Sequence, residues 1–459
     1  MADEDLAFAS LGELSRMVRE KKISPLELTE LYLARCKRLD PLLLAVITLT
    51  EEVALQEARQ AREEIAAGRY RGPLHGIPYG AKDLLDTRGI RTTWGIEHHR
   101  NRIPQEDATV VRKLRQAGAV LIAKLSLGEL ASGAKWFGGT TRCPWDPSRS
   151  SSGSSAGPGA ATAAGMVGFS IGSETLGSIV SPCSMNGVSG LRPTYGRVSR
   201  AGAMALSWTM DKIGPMCRGV SDCATVFEAI RGADPLDPTA VDAPHRFDPR
   251  SPLSALQVGI AEEDFQVLTD ELKAAMAEVP RVLESLGLRL KPVRLPDYPY
   301  QAVTGMIAVE AAVAFEDLVT GGHLDSLVNE GPRAWKSTLP AARLTPAVQY
   351  LKAQQIRALM QSEAARLMQD ADVWVAPGVG PASPVDAPPS PPASDRPRPK
   401  TLAFTNLTGQ PTVCVPGGFV DGLPVGLQFV GRCFDEASPL RLALAYQETT
   451  GWHSLHPKI

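Results

Sequence analysis

The stretch Ser148–Ser199 constrains the chain more than any other. Its first ten residues are crowded with serine and glycine, a composition usual in flexible linkers. The segment then continues into an Ala-rich helix (about Ala156–Gly165), an apolar strand (Met166–Ile171) and a second glycine-serine turn at Gly172–Ser178. A spacer does not alternate turn, helix, strand and turn in this way, so two serine-bearing turns are expected to be built into a site.

The rest of the chain reads as scaffold around that stretch. Residues 1–67 are expected to be mainly helical with a short strand at Leu43–Leu49. Ser10-x-x-Glu13 and Ser24-Pro-x-Glu27 both have capping-box form, and Glu51–Ala67 is a charged amphipathic helix. From Pro73 onward, strands and helices alternate. Strands are expected at Ala119–Lys124, Ala255–Ile260, Leu288–Leu295 and Val373–Ala376. Helices are expected at Asp107–Gly118 (capped by Asp107), Thr269–Leu286, Ala302–Leu318 and Pro346–Asp370. Asp421-Gly422 between Val413–Phe419 and Val425–Val430 reads as a hairpin, followed by a helix near Pro439–Thr449. Residues 378–400 are proline-dense and aperiodic, and read as a surface loop or a lid. This alternation predicts an α/β fold with a sheet covered on both faces, and no break in composition divides residues 1–459 into domains.

Composition narrows the function. With 44% hydrophobic and 21% charged residues, a large core is available, and a net charge of −2 without a basic cluster gives nucleic acid no electrostatic footprint. The seven cysteines lack CxxC spacing and the seven histidines form no ligand motif, so neither a metal nor a cofactor is expected. The N-terminal residues lack signal-peptide character, and no apolar run approaches the roughly 18–20 residues of a membrane span. A cytoplasmic protein acting on small molecules is the expectation.

Which chemistry suits the serines? Gly153-Ser154-Ser155-Ala156-Gly157 matches a GxSxG nucleophile elbow, but Cys143–Ser152 cannot supply the buried strand that such an elbow follows. No serine-glycine turn ends in the Gly-Lys-Ser/Thr that phosphate binding requires. Ser178 is better placed. It follows a strand end, and the N–H groups of Thr175, Leu176, Gly177 and Ser178 are positioned to converge as an oxyanion hole, although a plain helix-capping serine reads equally well on this stretch alone. With no histidine in a distinctive setting, the candidate base is Lys82 in GIPYGAKDLLD, provided that burial keeps it neutral.

Four segments then carry a resemblance: GIPYGAKDLLDT; PWDPSRSSSGSSAG; GSETLGSIVSPCSMNGVSGLRPTYGRVSR; and NLTGQPTVCVPGGFVDGLPVGLQFVGR. In this order they make the chain similar, over nearly its whole length, to the amidase signature family. The resemblance implies a single α/β/α domain around a large, mixed, twisted sheet. It also implies a Ser–cis-Ser–Lys triad of Ser178 (nucleophile), Ser154 (bridge) and Lys82 (base), with oxyanion donors at Thr175, Leu176, Gly177 and Ser178. Substrate contacts are implied at Ser132, Gly133 and Leu176. Two positions depart from the family's usual Asp-Thr-Gly-Gly-Ser-Ile-Arg: this chain has Leu176 for the first glycine and Val180 for the arginine. Both changes favour neutral, apolar acyl groups. The expected activity is therefore hydrolysis of neutral aliphatic or aryl amides, with carbamates (urethanes) and esters as further substrates, in a chain able to form a homodimer. The alternative is the glutamine-hydrolysing component of a tRNA-dependent amidotransferase, passing ammonia to a partner.

Overall fold

The computed structural model of the chain describes residues 3–387 and 398–459. Its centre is an eleven-stranded sheet drawing on almost the entire sequence. In chain order the strands are β1 (Val46–Leu49), β2 (Pro78–Lys82), β3 (Val120–Leu125), β4 (Phe169–Glu174), β5 (Ser189–Arg192) and β6 (Lys212–Cys217), then β7 (Val258–Ile260), β8 (Leu290–Pro292), β9 (Val373–Pro377), β10 (Thr412–Val420) and β11 (Leu423–Gly431). Across the sheet they run β1-β3-β2-β4-β6-β5-β10-β11-β9-β7-β8. The sheet is mixed: β3, β2 and β4 are mutually parallel, as are β9, β7 and β8, and the strands between these blocks pair antiparallel. Successive residues of a strand point to opposite faces, and every residue of β2, β3 and β6 is buried, so the sheet is covered on both sides. The α/β expectation holds.

The N-terminal portion forms as its sequence dictates. Ser10 and Ser24 each accept a hydrogen bond from the N–H of the glutamate three residues on, and each glutamate reaches back to the capping serine's N–H. Helix α1 (Pro25–Leu43) buries Leu28, Tyr32, Cys36 and Leu39 along one face, and α2 (Glu51–Ala66) packs against it and β3.

Three helix expectations need correction. The helix at 107–118 runs Thr109–Gln116 and Asp107 does not cap it; its carboxylate instead accepts from the Arg88 N–H and pairs with Arg115. The helix at 269–286 is two pieces, Asp270–Ala275 and Val279–Ser285. Pro280 lacks an N–H, and its ring would meet the Met276 carbonyl that a continuous helix needs there. The 302–318 helix is three short segments, broken at Gly305 and Phe315. The hairpin is as expected: Asp421 and Gly422 both have positive φ, 49° and 77°, as a two-residue turn between β10 and β11 demands.

Of the proline-rich stretch 378–400, residues 388–397 lie outside the described residues. Its first part lies along the lead-in to the first serine turn: Ser150 N–H donates to the Ser383 carbonyl at 2.8 Å and Val385 N–H to the Ser148 carbonyl at 3.0 Å. Asp146–Ser150 is itself a half-exposed strand paired with Arg142–Cys143, not the buried strand of a nucleophile elbow. Among the described residues, no helix is long and apolar enough to cross a membrane.

Candidate active site

The three candidate catalytic residues come from neighbouring parts of the sheet. Lys82 is the last residue of β2 and Glu174 the last of the adjacent parallel β4. The crevice beyond the carboxyl ends of parallel strands is where open α/β sheets place ligands. Ser154 precedes helix α3 (Ala156–Ala163), and Ser178 lies in the turn joining β4 to helix α4 (Val180–Asn186).

Lys82 has no exposed surface. Its Nζ donates to Ser154 Oγ at 2.8 Å, Ser173 Oγ at 2.9 Å, Ser155 Oγ at 3.0 Å and the Ser173 carbonyl at 3.3 Å. Among the described residues, no carboxylate touches it. Burial therefore dominates and pushes its pKa down from 10.5 to about 7, although the more distant Asp211 and Glu174 act the other way. A lysine with this pKa is neutral in a large fraction of molecules near pH 7, as a general base must be.

The Gly153–Ser154 peptide is cis. A Cβ at Gly153 would lie 1.8 Å from the Gly133 carbonyl oxygen, so this turn passes too close to the 126–134 segment for any side chain. Gly157, the second residue of α3, is confined in the same way: a Cβ there would meet the Ala45 carbonyl and the Ser126 nitrogen at 2.4 Å. The glycines that made the sequence look like a linker are there for close approach.

Ser178 is half-buried. Its carbonyl accepts from the Ser155 N–H at 3.2 Å, which sets the Ser178 turn against the Ser154 turn. Among the described residues its Oγ makes no hydrogen bond, so the bonded chain runs from Lys82 to Ser154 and stops one step short of Ser178. Hydrogen bonds of this kind often tighten only when substrate binds. The N–H groups of Thr175, Leu176, Gly177 and Ser178 also donate no hydrogen bond among the described residues. Gly177 has φ +97°, a conformation that a residue with a side chain rarely adopts. Four free donors in one turn, next to a serine hydroxyl, are the makings of an oxyanion hole.

Glu174 holds this turn in place. It is fully buried; Oε2 accepts from the Ile179 and Val180 N–H groups at 2.7 and 2.8 Å, and Oε1 from Arg192 and Asn406, both at 2.8 Å. Burial alone would raise its pKa, but Arg192 and Lys212 outweigh that and hold it down at about 2. Arg192 in turn donates to the Gln410 carbonyl and the Thr412 hydroxyl. The ionic partner of Glu174 is thus Arg192, in the run GLRPTYGR, a role that the sequence did not reveal.

The expected substrate contacts do not share one pocket. Ser132 is half-buried and Gly133 exposed, on a segment where Leu130 and Ala131 both take positive φ. A cavity of about 200 Å³ adjoins the lysine side of the site, and its lining includes Ala131, Ser173, Thr175, Met204, Leu206 and Asp211. The Leu176 side chain points instead into a wider depression of about 860 Å³, shared with Tyr298, Tyr300 and Leu402. Sequence reasoning also missed Ser155 and Ser173 as partners of Lys82. Ser173 had a signal, since it sits beside Glu174 at the strand end; Ser155 was distinguishable from Ser154 only through the resemblance.

Comparison with known proteins gives the family. A family model described as Amidase matches residues 27–440. Curated relatives include the A component of the glutamyl-tRNA(Gln) amidotransferase of Roseiflexus sp. (strain RS-1), 36% identical over 98% of both chains. Its counterpart in Moorella thermoacetica is 35% identical over 99% of both. Among solved structures, the native peptide amidase of Stenotrophomonas maltophilia is 32% identical with a TM-score of 0.83, covering 96% of this chain and 97% of that one. Family match, shared fold and the buried lysine–serine geometry lead to one conclusion: the chain belongs to the amidase family, whose members act on carbon–nitrogen bonds.

Proposed function

We propose that this chain hydrolyses a carboxamide through an acyl-enzyme, with Ser178 as nucleophile, Ser154 as proton bridge and Lys82 as base. The observation that carries this reading is the 2.8 Å hydrogen bond from a fully buried, carboxylate-free lysine to Ser154. Neutral Lys82 takes the Ser154 proton as Ser154 takes that of Ser178, and Ser178 Oγ attacks the carbonyl carbon. The N–H groups of Thr175–Ser178 receive the developing oxyanion. Collapse returns the proton through Ser154 to the leaving amine, and water then releases the acyl group by the same path in reverse.

Of the two substrate readings, the relatives favour glutamine. The curated relatives named above are amidotransferase components matching this chain from end to end. On that reading the chain releases ammonia from glutamine for use by partner chains. A second reading, a free-standing amidase for neutral aliphatic or aryl amides and, secondarily, carbamates or esters, rests on Leu176 and Val180 and on the apolar Met204 and Leu206 beside the site. The likeness to peptide amidase supports it as well. Ammonia release from glutamine, aliphatic amides and anilides, measured for the chain alone and together with its co-expressed partners, separates the two. Turnover of glutamine that depends on partners supports the first; turnover of simple amides by the isolated chain, with glutamine inert, supports the second. Full activity in Ser178→Ala would overturn both.

A further inference from the structure

Lys212 is a second buried lysine beside the site, and the proposed reaction makes no use of it. It is the first residue of β6 and lies directly opposite Glu174, the last residue of β4, in the antiparallel pairing of the two strands. Side chains of directly opposed residues share a face of the sheet, so Lys212 and Glu174 project together where β4 gives way to the Ser178 turn.

The acids around Lys212 are already occupied. Glu174 accepts from the Ile179 and Val180 N–H groups, Arg192 and Asn406. Asp211 accepts from the Leu206 and Ser207 N–H groups at 2.7 and 2.9 Å and from the Thr175 hydroxyl at 2.5 Å. Arg357, the other cation nearby, is bound to the Leu407 carbonyl and Thr209. Among the described residues the Lys212 side chain forms no ion pair, and its one hydrogen bond runs from Nζ to the Thr175 carbonyl at 3.4 Å. Burial, reinforced by the Arg192 guanidinium, pushes its pKa well below the usual lysine value. The folded state thus holds an amine that works against its stability.

The Thr175 carbonyl belongs to the peptide whose N–H is that of Leu176, one of the four turn donors left free among the described residues. A donor placed on the carbonyl of a peptide polarises it and strengthens its N–H at the opposite end. Asp211 and Lys212, adjacent in sequence, therefore grip Thr175 by its hydroxyl and its carbonyl and fix the plane of that peptide.

We propose that Lys212 is a positioning residue for the reaction: through the Thr175 carbonyl it orients and polarises the Thr175–Leu176 peptide, so that the Leu176 N–H meets the negative charge building on the substrate oxygen. The proposal rests on Ser178 as nucleophile and on the Thr175–Ser178 donors, and does not depend on which amide is cleaved.

The test uses Lys212→Met, which keeps the length of the side chain but donates nothing. An alkyl fluorophosphonate probes the site without the natural substrate: Ser178 Oγ bonds to phosphorus, fluoride leaves, the hydroxyl proton passes through Ser154 to Lys82, and intact mass follows the rate. Steady-state kinetics on glutamine, an aliphatic amide and an anilide, with co-expressed partners where these are needed, and urea unfolding complete the comparison. Lys212→Met is expected to react with the probe about tenfold more slowly and to lose about tenfold in kcat, with KM unchanged and the urea midpoint unchanged or higher. An unchanged labelling rate and kcat in Lys212→Met, with Ser178→Ala inert, overturn this proposal and leave the Ser178 reading standing. A slower variant with a lower urea midpoint, or one that does not fold, overturns it by making the lysine a structural support. Labelling of Ser178→Ala at the wild-type rate, or a wild type inert to the probe and to all three amides, overturns the Ser178 reading and this proposal with it.

Discussion

Replacing Lys82 with methionine should abolish activity while changing the pH dependence of stability in a calculable way. The side chain is fully buried, and burial lowers its pKa from 10.5 to about 7. Between those values the unfolded chain holds a proton that the native state does not, so the native state loses stability as pH falls from the upper value toward the lower. The slope approaches about 1.4 kcal/mol per pH unit. Below pH 7 both states hold the proton, and the full cost of burying the cation, about 5 kcal/mol, is present. Lys82→Met has no such term. The stability of wild type relative to Lys82→Met should therefore be flat below about pH 6 and should rise by about 2 kcal/mol between about pH 7 and 9, since the slope is full only above the native midpoint. Urea unfolding of both proteins from about pH 5.5 to 9.5 reads this difference directly. The kinetic counterpart is a wild-type kcat/KM that falls about tenfold per pH unit below about 7 and levels off above it. A stability difference independent of pH would refute the reasoning, because it would mean that Lys82 titrates alike in both states.

Ser178→Ala and Ser154→Ala should each lower kcat by at least about a hundredfold with little change in the binding of a substrate analogue, as steady-state kinetics and calorimetry would show. Gly153→Ala should cost about 2 kcal/mol or more and remove activity, since its Cβ would meet the Gly133 carbonyl at 1.8 Å; denaturation midpoints check this. Glu174→Gln leaves buried Arg192 without its charge partner, and should cost about 3–5 kcal/mol in urea unfolding. Wild-type Glu174, with its carboxyl held at about 2 instead of the usual 4.5, contributes stability that is present above pH 4.5 and lost as pH falls toward 2. The variant should lack that acid-sensitive component.

The sequence disclosed whatever depends on local patterns. Both capping boxes and the Asp421-Gly422 hairpin follow from neighbours within a few residues; a strand feeding Ser178 was legible too, but it runs Phe169–Glu174, three residues later than the apolar run Met166–Ile171 suggests. Lys82 was legible only as a lysine among small and apolar neighbours, and its pairing with Ser154 came through resemblance, because the two lie 72 residues apart and meet only when the start of α3 packs on β2. What stayed hidden depends on distant partners. Asp107 looked like a helix cap because its competing partners, Arg88 and Arg115, could not be weighed from sequence. Arg192 looked like one basic residue among several until the sheet brought β5 beside β10 and set it against Glu174. The breaks at Pro280 and Gly305 were visible residues whose effect was outweighed, in reading, by the helical spacing around them.

The carboxylate of Glu174 carries a consequence for when the Ser178 turn can be completed. Two of its four hydrogen bonds come from Arg192 and Asn406, and Arg192 is itself held by Gln410 and Thr412. During synthesis, the lysine and both serines leave the ribosome long before residues 406–412 do. Until those residues emerge, Glu174 lacks its bond from Asn406 and Arg192 lacks its supports at Gln410 and Thr412, so a growing chain carries Lys82, Ser154 and Ser178 before the Ser178 turn is fully braced.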